Sequence, residues 1–322
     1  MAAGTLDLLT AEPVLLAEGS VVERVRRGAP DRLHPELLTA ALVLQPGGCA
    51  LLESIWRGYL AVARAHALPI VLLTPTWRAN REAVARAGLS GEALFRGNVA
   101  VLDALRREHA AAGGGPVLIA GLLGPQGDAY DPRAALGERE AAELHAWQAR
   151  LLAEAGVDVL TAQTIPALSE ARGLARAMAA SGVPYLVSFI VRADGSLLDG
   201  TPLEDATSAI DRDVRPAPVA YTINCVHPGP CRDALGAVRA RVQASVGVVG
   251  QAPGALARVI GLQANGSALP PEALDGADAL HSDEPGPWGA AMAALRRDFG
   301  LRLLGGCCGT DERHIAAIAA HL

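Results

Sequence analysis

Lysine is absent from this 322-residue chain, and all 28 basic residues are arginine. A lysine Schiff base and a lysine general base are therefore excluded. Aromatic residues are scarce at 3 %, while hydrophobic residues make up 51 %. A large core is available, and it must be built mostly from Ala, Val, Leu and Ile. No basic stripe accompanies the net charge of −6, which argues against a nucleic-acid surface. No apolar run approaches the roughly 18 residues of a membrane span. The start, Met1 to Asp7, lacks a positive n-region and carries an early acid, so it does not read as a signal peptide. Five cysteines are an odd number and cannot complete a disulfide framework. These absences point to a reduced, cytoplasmic protein.

What is present is an alternation. Apolar runs at Val14–Ala17, Pro69–Leu73, Pro116–Leu123, Val157–Ala162, Pro184–Val191, Val219–Cys225, Arg258–Gln263 and Arg302–Leu304 read as strands buried on both faces. Amphipathic helical pattern fills most gaps, as in Cys49–Ala67, Ala134–Ala155 and Ala167–Ala180. Ala40–Leu44 reads as a short pre-barrel element or an insertion. Ser90–Gly115 holds more helix than one connection requires. Asp194–Pro218 and Ala264–Gly300 are long connections with Gly, Pro and Asp clusters typical of loops. Gly113-Gly114-Gly115 reads as a turn. Alternating strand and helix implies a parallel sheet, and eight strands close into a (β/α)₈ (TIM) barrel. The expectation is an α/β fold with a single domain over 1–322.

In such a barrel the active site lies at the C-terminal ends of the strands. The polar residues cluster there: Glu18-Gly19-Ser20, Thr74-Pro75-Thr76-Trp77, Gly124-Pro125-Gln126-Gly127, Gln163-Thr164, Asn224-Cys225 and Cys307-Cys308. Two runs carry the chemistry. Gly305-Gly306-Cys307-Cys308-Gly309-Thr310 holds vicinal cysteines, and Ile223-Asn224-Cys225 brings a third about 80 residues earlier. Three sulfurs with an open fourth position make a catalytic zinc site, because a closed four-ligand site admits no substrate. Sulfur favours zinc over magnesium or calcium. A thiol entering the vacancy is deprotonated and held as a nucleophile. A Cys225–His227–Cys231 cluster is the minor alternative; His227 packing in a loop is favoured. Cys49 reads as core filling, and His281 to Glu284 as a solvated loop.

These motifs resemble the homocysteine S-methyltransferase family, zinc-dependent barrels that methylate a thiol. The resemblance spans most of the chain. It runs through Leu16 to Ser20, Thr74 to Asn80, Leu123 to Gly127, Gln163 to Pro166 with Glu170-Ala171, and Asp199 to Leu203. Asn224-Cys225 and Gly305 to Thr310 are its specific signals. It implies that Cys225, Cys307 and Cys308 ligate zinc and carry catalysis. It also implies that Glu18, Gly19, Ser20, Gln163, Thr164 and Asn224 meet substrate, with backbone N–H groups of Gly19 and Ser20 holding a carboxylate. The chain departs at two places: Glu18 stands where the family has Asp, and Gln163 where it has Glu. In relatives that acidic pair binds the amino group of homocysteine, and Gln163 lacks the charge.

The implied reaction is methyl transfer from a sulfonium donor, S-methylmethionine or S-adenosylmethionine, to homocysteine, giving methionine. Family members that use betaine continue further beyond the vicinal cysteines than this chain does. Alternatives are another thiol or a selenol as acceptor, a non-catalytic zinc- or thiol-binding barrel, and a redox protein using Cys307-Cys308. The expected partners are a small-molecule thiol and a methyl donor. No nucleic acid or membrane partner is expected, and a homo-oligomer is compatible with the sequence. Thr74, Thr76, Trp77 and Asn265 are candidates to face the donor or the site.

Overall fold

The computed structural model describes residues 2–245, 254–274 and 279–322. Eight strands form the sheet: β1 (Leu15–Ala17), β2 (Ile70–Leu73), β3 (Val117–Leu123), β4 (Val159–Ile165), β5 (Tyr185–Phe189), β6 (Ala220–Asn224), β7 (Val259–Ala264) and β8 (Leu303–Gly306). They pair in sequence order, all parallel, and β8 returns to β1 to close the barrel. The predicted α/β barrel is thus observed, with each strand within a few residues of its expected place.

Why the barrel closes is visible in the side chains. Every second residue points inward, so Leu15 and Ala17, Val71 and Leu73, and Leu118 and Ala120 join Val159, Leu186, Ala220, Ile260 and Leu303 in one buried interior cluster. Leu9, from the helix Ala2–Thr10, packs against this cluster, so that helix covers one end of the barrel. The other strand faces meet the helices in a larger core that includes Trp56, Tyr59, Phe95 and Trp288. Each buried Leu or Ile of this core contributes about 1.5–3 kcal/mol relative to exposure.

The helices largely follow the pattern. Gly48–Ala65, Glu138–Ala155 and Leu168–Ala180 occupy the expected gaps, and Ala40–Leu44 is a short 3₁₀ turn. The surplus between Ser90 and Gly115 is one long helix, Gly91–Ala111, capped by the Ser90 hydroxyl. Gly113, at φ 78°, begins the turn that follows.

The two long connections hold more order than their loop-like composition suggests. Leu203–Asp213 is a helix that buries Leu203, Ala206, Thr207 and Ile210, an i, i+3, i+4, i+7 stripe in which only two residues are large and apolar. Pro285–Phe299 is another, with Pro285 in its first turn, where a missing N–H costs nothing. Residues 275–278 of that connection lie outside the described set.

Strand β4 runs three residues beyond its expected end, to Ile165, through a register irregularity between Ala162 and Ile165. That extension carries Gln163 and Thr164. Beyond an irregularity between Tyr221 and Thr222, β6, β7 and β8 are in register at their C-terminal ends, with Asn224 opposite Gln263 and Gln263 opposite Gly305. Cys225 and Cys307 therefore leave the sheet at nearly one height, on the two strands that flank β7.

Candidate active site and metal centre

The ends of β1, β2, β4, β6, β7 and β8 enclose a cavity of about 320 Å³. On its wall the sulfur atoms of Cys225, Cys307 and Cys308 all lie within 4.8 Å of one another. They are the one cluster of three metal-binding side chains among the described residues. Cys225 Sγ and Cys307 Sγ are 2.8 Å apart, too long for a disulfide bond, and all five cysteines are free. Three thiols this close cannot all ionise without a counter-charge. Cys225 is lowered well below the usual thiol range, chiefly by hydrogen bonds from Cys307 and Cys308, against the cost of burial. Its neighbours move the other way: Cys307 is raised, and Cys308 is pushed up to about 12, mainly by their bonds to Cys225. A divalent cation would supply the missing positive charge. A tetrahedral thiolate site with metal–sulfur bonds of about 2.3 Å needs sulfurs roughly 3.8 Å apart, so Cys225 Sγ and Cys307 Sγ would move apart by about 1 Å to hold the ion.

Cys225 is held in an unusual backbone. Its φ is 57°, and that of Thr164, on the neighbouring extension, is 62°. Left-handed values cost about 1–3 kcal/mol each for such residues and persist only where their surroundings over-determine them. Asn224 does much of this. Its Oδ1 accepts from Thr164 N at 2.9 Å and from Ser188 Oγ at 2.7 Å. Its Nδ2 donates to Thr164 Oγ1 at 2.7 Å and to Cys225 Sγ at 3.2 Å. Asn265 Nδ2 then donates to the Cys225 carbonyl at 2.9 Å. Ligand and backbone are thereby aimed together.

At the end of β1, beside β8, Glu18 is 5 % exposed, and its carbonyl accepts from Gly306 N. Its Oε2 accepts from Trp56 Nε1 and from Leu73 N, each at 3.0 Å. Burial pushes its carboxyl up to about 8, and these two donors offset part of that. Gly19 follows in a tight corner: a Cβ there would sit 2.8 Å from the Tyr59 hydroxyl and 3.0 Å from Thr310 Oγ1. Ser20 caps the helix Val21–Gly28 by accepting from Glu23 N at 3.1 Å, and its own N–H is committed to the Thr310 carbonyl. Gln163 Nε2 donates to Gln263 Oε1 at 2.5 Å. Arg26 and Arg78 stand at the cavity edge; Arg26 is paired with Glu23, and Arg78 lies 4.2 Å over the Trp77 ring.

The sequence-nominated residues Glu18, Gly19, Ser20, Gln163, Thr164, Cys225, Cys307 and Cys308 all line this cavity, and Asn224 lies directly behind it. Thr74, Trp77 and Asn265 line it too. Thr76 does not; its hydroxyl ties Thr74 to the Leu122 carbonyl. His227 points elsewhere, to Asp283 at 3.0 Å, and Cys231 is buried in the core with its thiol pushed up to about 12. Sequence reasoning passed over Gln263, Ser188 and Trp56. Gln263 and Ser188 sit in strands, where a lone polar residue gives no signal of which partner it will meet. Trp56 had one signal, being one of only four tryptophans.

The homocysteine S-methyltransferase family model matches residues 15–322. The chain is 25 % identical to Homocysteine S-methyltransferase YbgG of Bacillus subtilis (strain 168), over 97 % of this chain and 96 % of that one. It is 27 % identical to Homocysteine S-methyltransferase of Escherichia coli (strain K12), over 91 % and 97 %. Its fold matches the crystal structure of the Escherichia coli homocysteine methyltransferase MmuM. The oxidised form gives a TM-score of 0.74 at 24 % identity, and the metallated form 0.71 at 25 %, each covering 98 % of both chains. Among the described residues, no helix is long and apolar enough to cross a membrane. With its family's model matched from the first strand to the last residue, the chain is an S-methyltransferase and belongs to the homocysteine S-methyltransferase family.

Proposed function

We propose that this enzyme transfers a methyl group from a sulfonium donor, S-methylmethionine or S-adenosylmethionine, to the thiol of homocysteine. In this reading 1–322 acts as one domain, and Cys225, Cys307 and Cys308 hold a catalytic zinc. The single observation that carries it is the meeting of three sulfurs from two distant segments on the wall of one cavity. A solved relative described as metallated supports the metal.

Bound there, zinc supplies the Lewis acidity that keeps an acceptor thiol deprotonated at neutral pH. The chain does the rest. Asn224 fixes the direction of Cys225 through its N–H to the sulfur. Glu18 and Gln163 line the same cavity and would read the amino-acid end of the acceptor. The first-turn residues Val21 and Val22 line the same cavity, so their N–H groups at the helix start can take a substrate carboxylate. The donor's positive charge disappears as its methyl leaves, so a cavity that excludes water favours transfer.

The test is metal analysis joined to a methylation assay. The purified enzyme should carry stoichiometric zinc, lose methyl transfer to homocysteine on chelation, and regain it on zinc addition. Full activity in the Cys225→Ala variant, or in metal-free protein, overturns the reading.

A further inference from the structure

We propose that Gln163 and Gln263 together form an uncharged recognition pair for the end of the acceptor remote from its thiol. In this proposal the pair takes a group that both donates and accepts hydrogen bonds, such as an amide. This rests on the methyltransferase reading above and extends its acceptor from homocysteine to thiols that carry an amide.

The pair is set by the barrel. Gln163 lies on the extension of β4 and Gln263 on β7, between the two cysteine-bearing strands. Both side chains are more than nine-tenths buried, and both line the cavity with the three sulfurs. Trp77 Nε1 donates to the Gln163 carbonyl at 3.1 Å, and the Gln263 carbonyl accepts from Cys225 N at 3.1 Å, so the backbone at both positions is pinned.

An amide bonded to an amide uses one donor group and one acceptor, and it leaves one of each. Here the bond runs from Gln163 Nε2 to Gln263 Oε1. Gln163 Oε1 and Gln263 Nε2 have no protein partner among the described residues, and neither is sealed among the enclosed orphan atoms. They therefore meet whatever enters the cavity. A free ammonium has donors only: with the α-carboxylate taken by the N–H groups of Val21 and Val22, it satisfies Gln163 Oε1 but leaves Gln263 Nε2 facing another donor. A secondary amide satisfies both. Of the two carboxyls that line the cavity, Glu18 has Oε2 tied to Trp56 and Leu73, and Glu23 is paired with Arg26 and Arg27.

The probes are homocysteine and N-acetylhomocysteine, in which an amide replaces the ammonium and the thiol is unchanged. Rates with a sulfonium donor and calorimetric binding to the zinc-loaded protein are measured for each. The native enzyme should turn over N-acetylhomocysteine with a kcat/KM of at least about one tenth of that for homocysteine, whereas a site that requires the ammonium rejects the amide by far more. Gln163→Glu should move that preference toward homocysteine by at least about tenfold, because a carboxylate favours the cation and repels the amide carbonyl. Gln263→Leu, which removes the donor and cannot introduce charge, should weaken N-acetylhomocysteine binding more than homocysteine binding. A native preference for homocysteine of tenfold or more, or a Gln163→Glu ratio equal to the parent's, overturns the proposal. If neither thiol binds or is methylated, the methyltransferase reading of the site falls with it; if homocysteine alone is bound and methylated, only the amide subsite is lost.

Discussion

Asn224 and Thr164, 60 residues apart in the chain, are joined by two hydrogen bonds, from Thr164 N to Asn224 Oδ1 at 2.9 Å and from Asn224 Nδ2 to Thr164 Oγ1 at 2.7 Å. Asn224 also donates to the sulfur of Cys225, so one side chain holds both left-handed residues of the site. Asn224→Ala would leave the Thr164 N–H and the Ser188 hydroxyl unpaired in a buried place. It should destabilise the fold by about 2–4 kcal/mol. Metal affinity should fall by about 10–100-fold, as for other groups that orient a ligand. Thermal denaturation and metal titration check the two effects; a variant that keeps its metal affinity refutes the orienting role.

Glu18 makes stability depend on pH in an unusual direction. Its folded pKa is raised, from 4.5 to about 8, because burial disfavours the charge. Between those values the unfolded chain loses the proton and the folded chain keeps it. Stability should therefore decline as pH rises through this window, by at most about 1.4 kcal/mol per unit. Glu18→Gln keeps an oxygen for Trp56 and Leu73 but cannot titrate. Its melting temperature relative to the parent should climb between pH 5 and pH 8. A pH-independent difference would falsify the raised pKa.

Gly19 is a packing requirement. In Gly19→Ala the new methyl meets the Tyr59 hydroxyl and Thr310 Oγ1. The expected loss is about 1–3 kcal/mol, typical of overpacking. Placed in a Tyr59→Phe background, the same change should cost less, since the nearest oxygen is gone. Equal costs in both backgrounds, measured by denaturant unfolding, would place the strain elsewhere.

The cysteines should separate by reactivity. The difference is one of access: Cys231 is fully buried, while Cys307 and Cys308 are partly exposed at the cavity. Iodoacetamide on reduced, chelated protein should modify Cys307 or Cys308 and spare Cys231 until the chain unfolds. Zinc added first should protect the trio. Peptide mass spectrometry reads the sites, and early labelling of Cys231 contradicts the assignment.

The chain order of strands and helices was legible because apolar runs buried on both faces differ plainly from amphipathic stretches. The helix Leu203–Asp213 was harder to see, since its buried stripe relies on Ala206, Thr207 and Ala209 as much as on Leu203 and Ile210. The cysteines announced themselves: a vicinal pair in a glycine run and a third cysteine at another strand end have few other uses. Gln263 announced nothing.

The sequence alone determined an alternating α/β chain and a three-thiol signature, because both depend on residue type and short-range spacing. Tertiary structure decided the pairings. Parallel closure of the barrel and the register of β6, β7 and β8 set Cys225 beside Cys307, Gln163 against Gln263, and Asn224 under Thr164. Each of those contacts joins segments at least 60 residues apart, and no local pattern specifies which strand ends will face one another across a closed sheet.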